Sequence, residues 1–388
     1  FYFITILAIL IPLLAQNKVL GLRISLFLLF ILLGFQYELV QDWTPNIGRW
    51  KYANLNASIW DAGTGGRDIE PFFMYLLKLF KPITFFGWLM LTTALFLLLL
   101  YYLMRWYVPA QYYWVTIFLF MLRTDYGLLF INSNRQCWSL MFAILSVLVL
   151  LEKIKIPVRI PFVRKSYTKY VISIVLVYVG AQCHSSAYIA FLILPIYLWS
   201  HVYNGKWWLM LAIICNIFYI GKIFIDISVL QVYMTMFSDE MMLNNVEGYI
   251  EQIGTEFNNN SFFEISCYSM IITAVCYYYH QMPQPLKFFS IMWYVGLLLS
   301  SYLPSNVARM GEFMYYYLLL VLPFVVMSLR TERTKTMVRI RSLAFSILIF
   351  YCVWSSWNNM HHYLYERWMD YISVFEAPRS VSYTHLRA

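Results

Sequence analysis

Ala-Leu-Phe-Leu-Leu-Leu-Leu-Tyr-Tyr-Leu-Met (94–104) and Leu-Met-Phe-Ala-Ile-Leu-Ser-Val-Leu-Val-Leu-Leu (140–151) are two unbroken apolar blocks. A strand of a membrane barrel would alternate apolar and polar residues over ~10 positions, and neither block alternates. Both read as helix. Outward from them, apolar runs of about 20 residues recur along nearly the whole chain, each long enough to cross a ~30 Å hydrocarbon core. The 388 residues are 61% hydrophobic and 12% charged, about half the charge of a soluble domain, which excludes soluble, fibrous and disordered classes.

The fold expected is therefore an all-α polytopic membrane protein. Twelve spans fit, at roughly 1–15, 19–35, 83–103, 112–129, 133–151, 167–183, 185–202, 206–228, 262–280, 286–303, 308–329 and 338–357. They form a single transmembrane domain over 1–379, with outer loops at 36–82 and 229–261, and a non-native or disordered tail at 380–388. The first residue is Phe, so the sequence is expected to open inside its first span, and no cleavable signal peptide is evident.

Basic residues set the orientation. With 152–169 inside, Lys153, Lys155, Arg159, Arg164, Lys165 and Lys169 obey the positive-inside rule. The inner segments then hold sixteen basic residues against Glu152 and Glu332, a balance of +14, and the outer segments balance at −5. Merging either 112–151 or 167–202 into one long helix would expel a basic cluster, so both breaks are expected. The net charge of +9 is thus an orientation signal in short loops, and a nucleic-acid partner is not expected. Six scattered cysteines, without Cys-x-x-Cys spacing, read as small hydrophobes.

Mixed-sign residues gather at the outer ends of the spans: Arg123 with Asp125, Arg135, His184, and Arg309 with Glu312. A charge at membrane depth costs about 2.5–3.5 kcal/mol near a helix centre and less toward an interface, so it faces a cavity or a partner. Each has a bland alternative, whether an internal ion pair or a hydrogen-bonded turn histidine. Arg135 is the sharpest case. It follows Asn132-Ser133-Asn134, which can cap a helix, and a cation there opposes the macrodipole, so an anion is expected nearby. The long first outer loop adds Asp42-Trp43, Trp50, Arg67 and the acid pair Asp68-Ile69-Glu70, spaced as two ligands of a divalent metal would be. Its aromatics suit either a core or stacking on sugar rings.

In order along the chain come an Asp followed by aromatics (42–50), Glu-Pro-Phe-Phe (70–73), Asn-x-x-Arg-Gln opening a helix (132–136), His-Ser-Ser-Ala (184–187), and Arg309 before Tyr315–Tyr317. This order, over roughly residues 1–355, resembles the EpsG-like group of Wzy-type polysaccharide polymerases. The group's Gly-x-Asp-x-x-x-Tyr pattern is present only loosely, as Gln41-Asp42-Trp43 through Trp50. The resemblance implies an enzyme that joins oligosaccharide repeat units carried on undecaprenyl diphosphate into a surface or exopolysaccharide, at the outer face of the bacterial inner membrane. Arg135, Arg309, Arg123 and Arg67 would bind diphosphate; His184, Glu70 and Asp68, in that order, would be candidates for the base; Asp42, Trp43 and Trp50 would bind sugar. No metal and no cofactor are expected. Besides the lipid-linked oligosaccharide and membrane lipid, a flippase and a chain-length regulator are the expected protein partners. The rival readings are a metal-dependent lipid-phosphosugar glycosyltransferase using Asp68 and Glu70, a lipid-linked oligosaccharide flippase or other transporter, and an acyltransferase using His184.

Overall fold

The computed structural model describes residues 2–36, 43–53, 70–122, 134–154, 164, 167–202, 216, 262–302, 310–311, 313–331, 342–343, 346–347, 349–350 and 353–354. Among these every element is helical. They are α1 (Tyr2–Leu14), α2 (Lys18–Gly34), α3 (Trp43–Tyr52), α4 (Pro71–Phe80), α5 (Phe85–Tyr107), α6 (Tyr113–Leu122), α7 (Asn134–Leu150), α8 (Thr168–Ala181), a 3-10 helix (Ser185–Leu192) running into α9 (Ile193–Val202), α10 (Phe262–Tyr278), α11 (Gln284–Tyr302) and α12 (Leu318–Thr331).

Three helical stretches, Phe85–Tyr107, Ser185–Val202 and Phe313–Thr331, are long and apolar enough to cross a membrane, and shorter apolar helices surround them. Large apolar side chains also point outward, among them Phe3, Phe27, Leu98 and Trp199. An all-α membrane protein accounts for both facts, since lipid is the medium that makes such a surface favourable. The break expected within 167–202 is present, since a turn at 182–184 follows α8, whereas the one expected within 112–151 falls at 123–133, outside the described residues. The span expected at 206–228 and most of that at 338–357 lie outside the described residues.

Within the stretch 36–82 two short helices form, α3 and α4. Pro71 is ready-made for a first helical position, and the apolar Phe-Phe-Met-Tyr-Leu-Leu that follows buries Phe73, Met74, Leu76 and Leu77. Ten residues rise only about 15 Å, so α4 docks against the bundle without crossing it.

Among the described residues, α1 and α12 each carry a proline beyond the first turn, which has no N–H and so strips the carbonyl four residues earlier of its partner. Pro12 does this to Ala8, and Pro323 to Leu319. In each case a hydroxyl on a neighbouring helix fills the gap: Ser25 Oγ of α2 donates to Ala8 O, and Thr116 Oγ1 of α6 donates to Leu319 O at 2.8 Å. The second tether holds a helix that is enclosed on every side, with Leu318–Val326 buried and α5, α6, α10 and α11 packed around it. Gly296 of α11 brings that chain close. A Cβ there would stand 2.5 Å from the Tyr315 nitrogen and 2.7 Å from the Gly311 carbonyl oxygen.

Among the described residues the most extensive helix pair is α7 with α8. Small residues let the backbones approach: Ser139 Oγ donates to Gly180 O at 2.7 Å, Ser146 and Ser173 hydroxyls meet at 2.6 Å, and a Cβ on Gly180 would stand 3.1 Å from Ser139 O. At its far end α7 stops in a Schellman arrangement. The Lys153 N–H reaches Leu148 O, the Glu152 N–H reaches Val149 O, and Glu152 takes the left-handed position, φ 57°. Lys169 donates to Glu152 there at 2.6 Å. The two ends of the seventeen-residue α7 are thus about 25 Å apart and differ in chemistry.

Candidate functional site

At the other end of α7 three separate segments meet. The first helical N–H groups of α4 have no partner within the helix. Those of Phe72 and Phe73 donate to the carbonyl of Gln182, at 3.2 and 3.3 Å, so the head of α4 is seated on the turn that ends α8. Glu70, which stands at the cap position of α4, makes no side-chain cap bond to that helix. Its carboxylate reaches across instead. Oε2 accepts from Arg135 Nη1 at 2.8 Å, and Oε1 accepts from the Ser185 N–H at 3.4 Å. The two side chains are 19% and 23% exposed, half-buried yet open to a ligand from solvent.

Each partner sits at a helix beginning. Arg135 is in the first turn of α7, where a cation alone would oppose the dipole, and the Glu70 carboxylate offsets it. Beside it Asn134 is buried, and neither of its amide atoms finds a partner among the described residues. Ser185 opens the 3-10 helix, which His184 caps from an extended backbone (φ −159°, ψ 125°). The imidazole Nδ1 accepts from the Ser186 N–H at 3.2 Å and lies 2.7 Å from Ser186 Oγ. Gln182 is steadied in turn by a 3.1 Å bond from its Nε2 to the Tyr188 hydroxyl. Below, α7 and α8 hold the Arg135 and His184 segments against each other through the Ser139 and Gly180 contact.

Of the residues expected at a site, Glu70, Arg135 and His184 are thus gathered within one cluster. Asp42, Arg67, Asp68, Arg123 and Arg309 lie outside the described residues, as does the side chain of Trp43, which begins α3. Trp50 is a correction. Its ring is buried, packed on Phe85 and Trp88 at 6.1 and 5.9 Å, and the Lys81 ammonium lies 5.5 Å from its centroid. A ring so enclosed is core, and no sugar can stack on it here. Trp88 stacks on Trp138 at 5.2 Å, Trp138 Nε1 donates to Thr92 at 3.2 Å, and Phe73 and Phe80 close on Trp88, so these aromatics join α3, α4, α5 and α7 under the site. Lys81 also donates to the carbonyls of Trp50 and Lys51, which end α3. Burial lowers its pKa from the ordinary lysine value.

Three contributors were not singled out from sequence: the Gln182 carbonyl, Ser186 and Lys81. Ser186 had a visible signal, since Ser two residues after a turn His can donate back to it. The Gln182 carbonyl is a main-chain group and carries no mark in the sequence, and the Lys81 ammonium donates to the main-chain carbonyls of Trp50 and Lys51, which carry none either.

The cluster can bind an anion through Arg135, can accept a proton at a carboxylate, and can orient an imidazole. A family model described as the EpsG family matches residues 19–373. No curated protein and no solved structure matches the chain.

Proposed function

Because the chain belongs to the EpsG family, we propose that it is a polysaccharide polymerase, a glycosyltransferase that joins repeat units carried on undecaprenyl diphosphate at the outer face of the bacterial inner membrane. The observation that carries this reading is the half-buried Arg135–Glu70 pair set against the His184–Ser185 turn. As the anomeric bond to the diphosphate breaks, negative charge grows on the leaving oxygen. A planar guanidinium can engage two phosphate oxygens at once and stabilise that charge without a metal. Arg309, Arg123 and Arg67 are proposed as further diphosphate contacts, and Asp42 and Trp43 as sugar contacts. The attacking sugar hydroxyl must lose its proton to a group within hydrogen-bond reach, for which His184, Glu70 and Asp68 are the candidates. Grooves between apolar helices would take the polyprenyl tail.

Two experiments test the reading. Purified protein given lipid-linked repeat units should build polymer in excess EDTA. Activity lost to EDTA and restored by magnesium or manganese would favour the metal-dependent glycosyltransferase instead. Arg135→Lys should shorten or abolish polymer nearly as much as Arg135→Ala, because an ammonium is a point charge without the fork. Full-length polymer from the Lys variant at normal expression would remove the bidentate role.

A further inference from the structure

Resting on the polymerase reading, we infer that Glu70 is an internal counter-ion that competes with the lipid diphosphate for Arg135 and so favours release of the spent undecaprenyl diphosphate. The guanidinium that this reading gives to the diphosphate already holds an anion, with Nη1 donating to Glu70 Oε2 at 2.8 Å. The carboxylate does not serve its own helix, since Glu70 stands at the cap position of α4 and makes no side-chain cap bond to it. Nor is it locked in place. Its second oxygen accepts from the Ser185 N–H at 3.4 Å, longer than the usual range of about 2.7–3.2 Å. Both side chains are partly exposed, so water screens the pair. A phosphate group can engage two guanidinium nitrogens at once, and a diphosphate brings more charge than a carboxylate. It can therefore take Arg135 from Glu70.

The backbone keeps a displaced carboxylate within reach. The head of α4 is seated on the turn that ends α8, where the N–H groups of Phe72 and Phe73 donate to Gln182 O, so Glu70 cannot drift away from the site. The Ser185 N–H beside its other oxygen can hold it while Arg135 is occupied. The need for a competitor is greatest after transfer. The bond from the anomeric carbon to the diphosphate oxygen breaks with its electron pair left on that oxygen. The acceptor oxygen forms the new bond, and its proton passes to the base. The spent carrier thus bears more negative charge than the donor did, and it holds a guanidinium more tightly. Return of the Glu70 carboxylate to Arg135 offsets that gain and clears the site for the next repeat unit.

The test reads the sign of a change in affinity. A chain whose Arg135 is occupied by Glu70 is not competent for the diphosphate, and apparent affinity falls with the competent fraction. Glu70→Gln removes the competing charge at nearly the same size. The full chain in detergent is titrated with sugar-free undecaprenyl diphosphate, which is the spent carrier itself, with undecaprenol as the uncharged control. Wild type should prefer the diphosphate. Glu70→Gln should bind it about five- to tenfold more tightly than wild type, and Arg135→Ala about tenfold more weakly. With Arg135→Ala present, adding Glu70→Gln should change affinity by less than about twofold, because no guanidinium is left to contest. A Glu70 that merely orients Arg135 predicts the opposite sign, so weaker or unchanged binding by Glu70→Gln overturns the competition. A gain that persists in the Arg135→Ala background overturns it too. Should Glu70→Gln fail to fold, Glu70→Asp, whose carboxylate is drawn back from Arg135, decides in its place and should also bind more tightly than wild type. Unchanged binding by Arg135→Ala takes the diphosphate away from Arg135, and the proposal with it. A wild type that binds the alcohol as well as the diphosphate overturns the polymerase reading itself.

Discussion

Arg135 and Glu70 show how a structural pair and a chemical pair can be told apart. Exchanging them, Glu70→Arg with Arg135→Glu, keeps an ion pair between the two segments and puts an acid at the head of α7, which its dipole favours. The double variant should recover most of the melting temperature lost by either single change. That loss is itself modest, about 1 kcal/mol, because the pair is partly exposed and screened. No polymer should form, since the guanidinium has moved to a different backbone position; polymer from the double variant would reduce the pair to a strut. Sequence reasoning went as far as requiring an anion beside Arg135. It stopped short of naming Glu70, because the partners are 65 residues apart and meet only once α4 has docked. Trp50 failed for a related reason: an aromatic in a polar-aromatic stretch looks the same whether it faces a sugar or the core, and only the packing of Phe85, Trp88 and Lys81 decides.

Helices in this protein are held together where their own hydrogen bonding fails. Thr116→Val should destabilise by about 1–2 kcal/mol, because it leaves Leu319 O buried without a donor. Restoring the missing N–H with Pro323→Ala should cancel most of that cost in the double variant, and strictly additive melting shifts would mean that the hydroxyl does something else. Gly296→Ala puts a methyl group against backbone atoms of the neighbouring chain and should cost about 1–3 kcal/mol, read as lower yield and melting temperature. Gly180→Ala meets looser neighbours and should be milder; the reverse ranking would refute the packing described. The long apolar blocks made most helices legible in sequence, since length and continuity suffice for them. Helices α3 and α4 were not, because ten residues are too few for a span, and α3 is also too mixed for a periodic pattern to stand out.

Across the whole chain, the +14 and −5 charge balance predicts where each loop faces. In a background free of native cysteines, cysteine placed at Ser58 or Asn259 should react with an impermeant thiol reagent on spheroplasts, and cysteine at Ser166 only after lysis. Labelling of Ser166 from outside would invert the site and end the outer-face assignment. The enclosed helix Phe313–Thr331 also constrains how the molecule is made. It is synthesised after more than three hundred residues, and the described helices packed most closely on it precede it in the chain. Until that helix is made, the Thr116 hydroxyl and the Gly296 face lack the partners they have in the folded chain. A chain truncated before Phe313 should therefore be degraded faster than the full chain, as a pulse-chase would read.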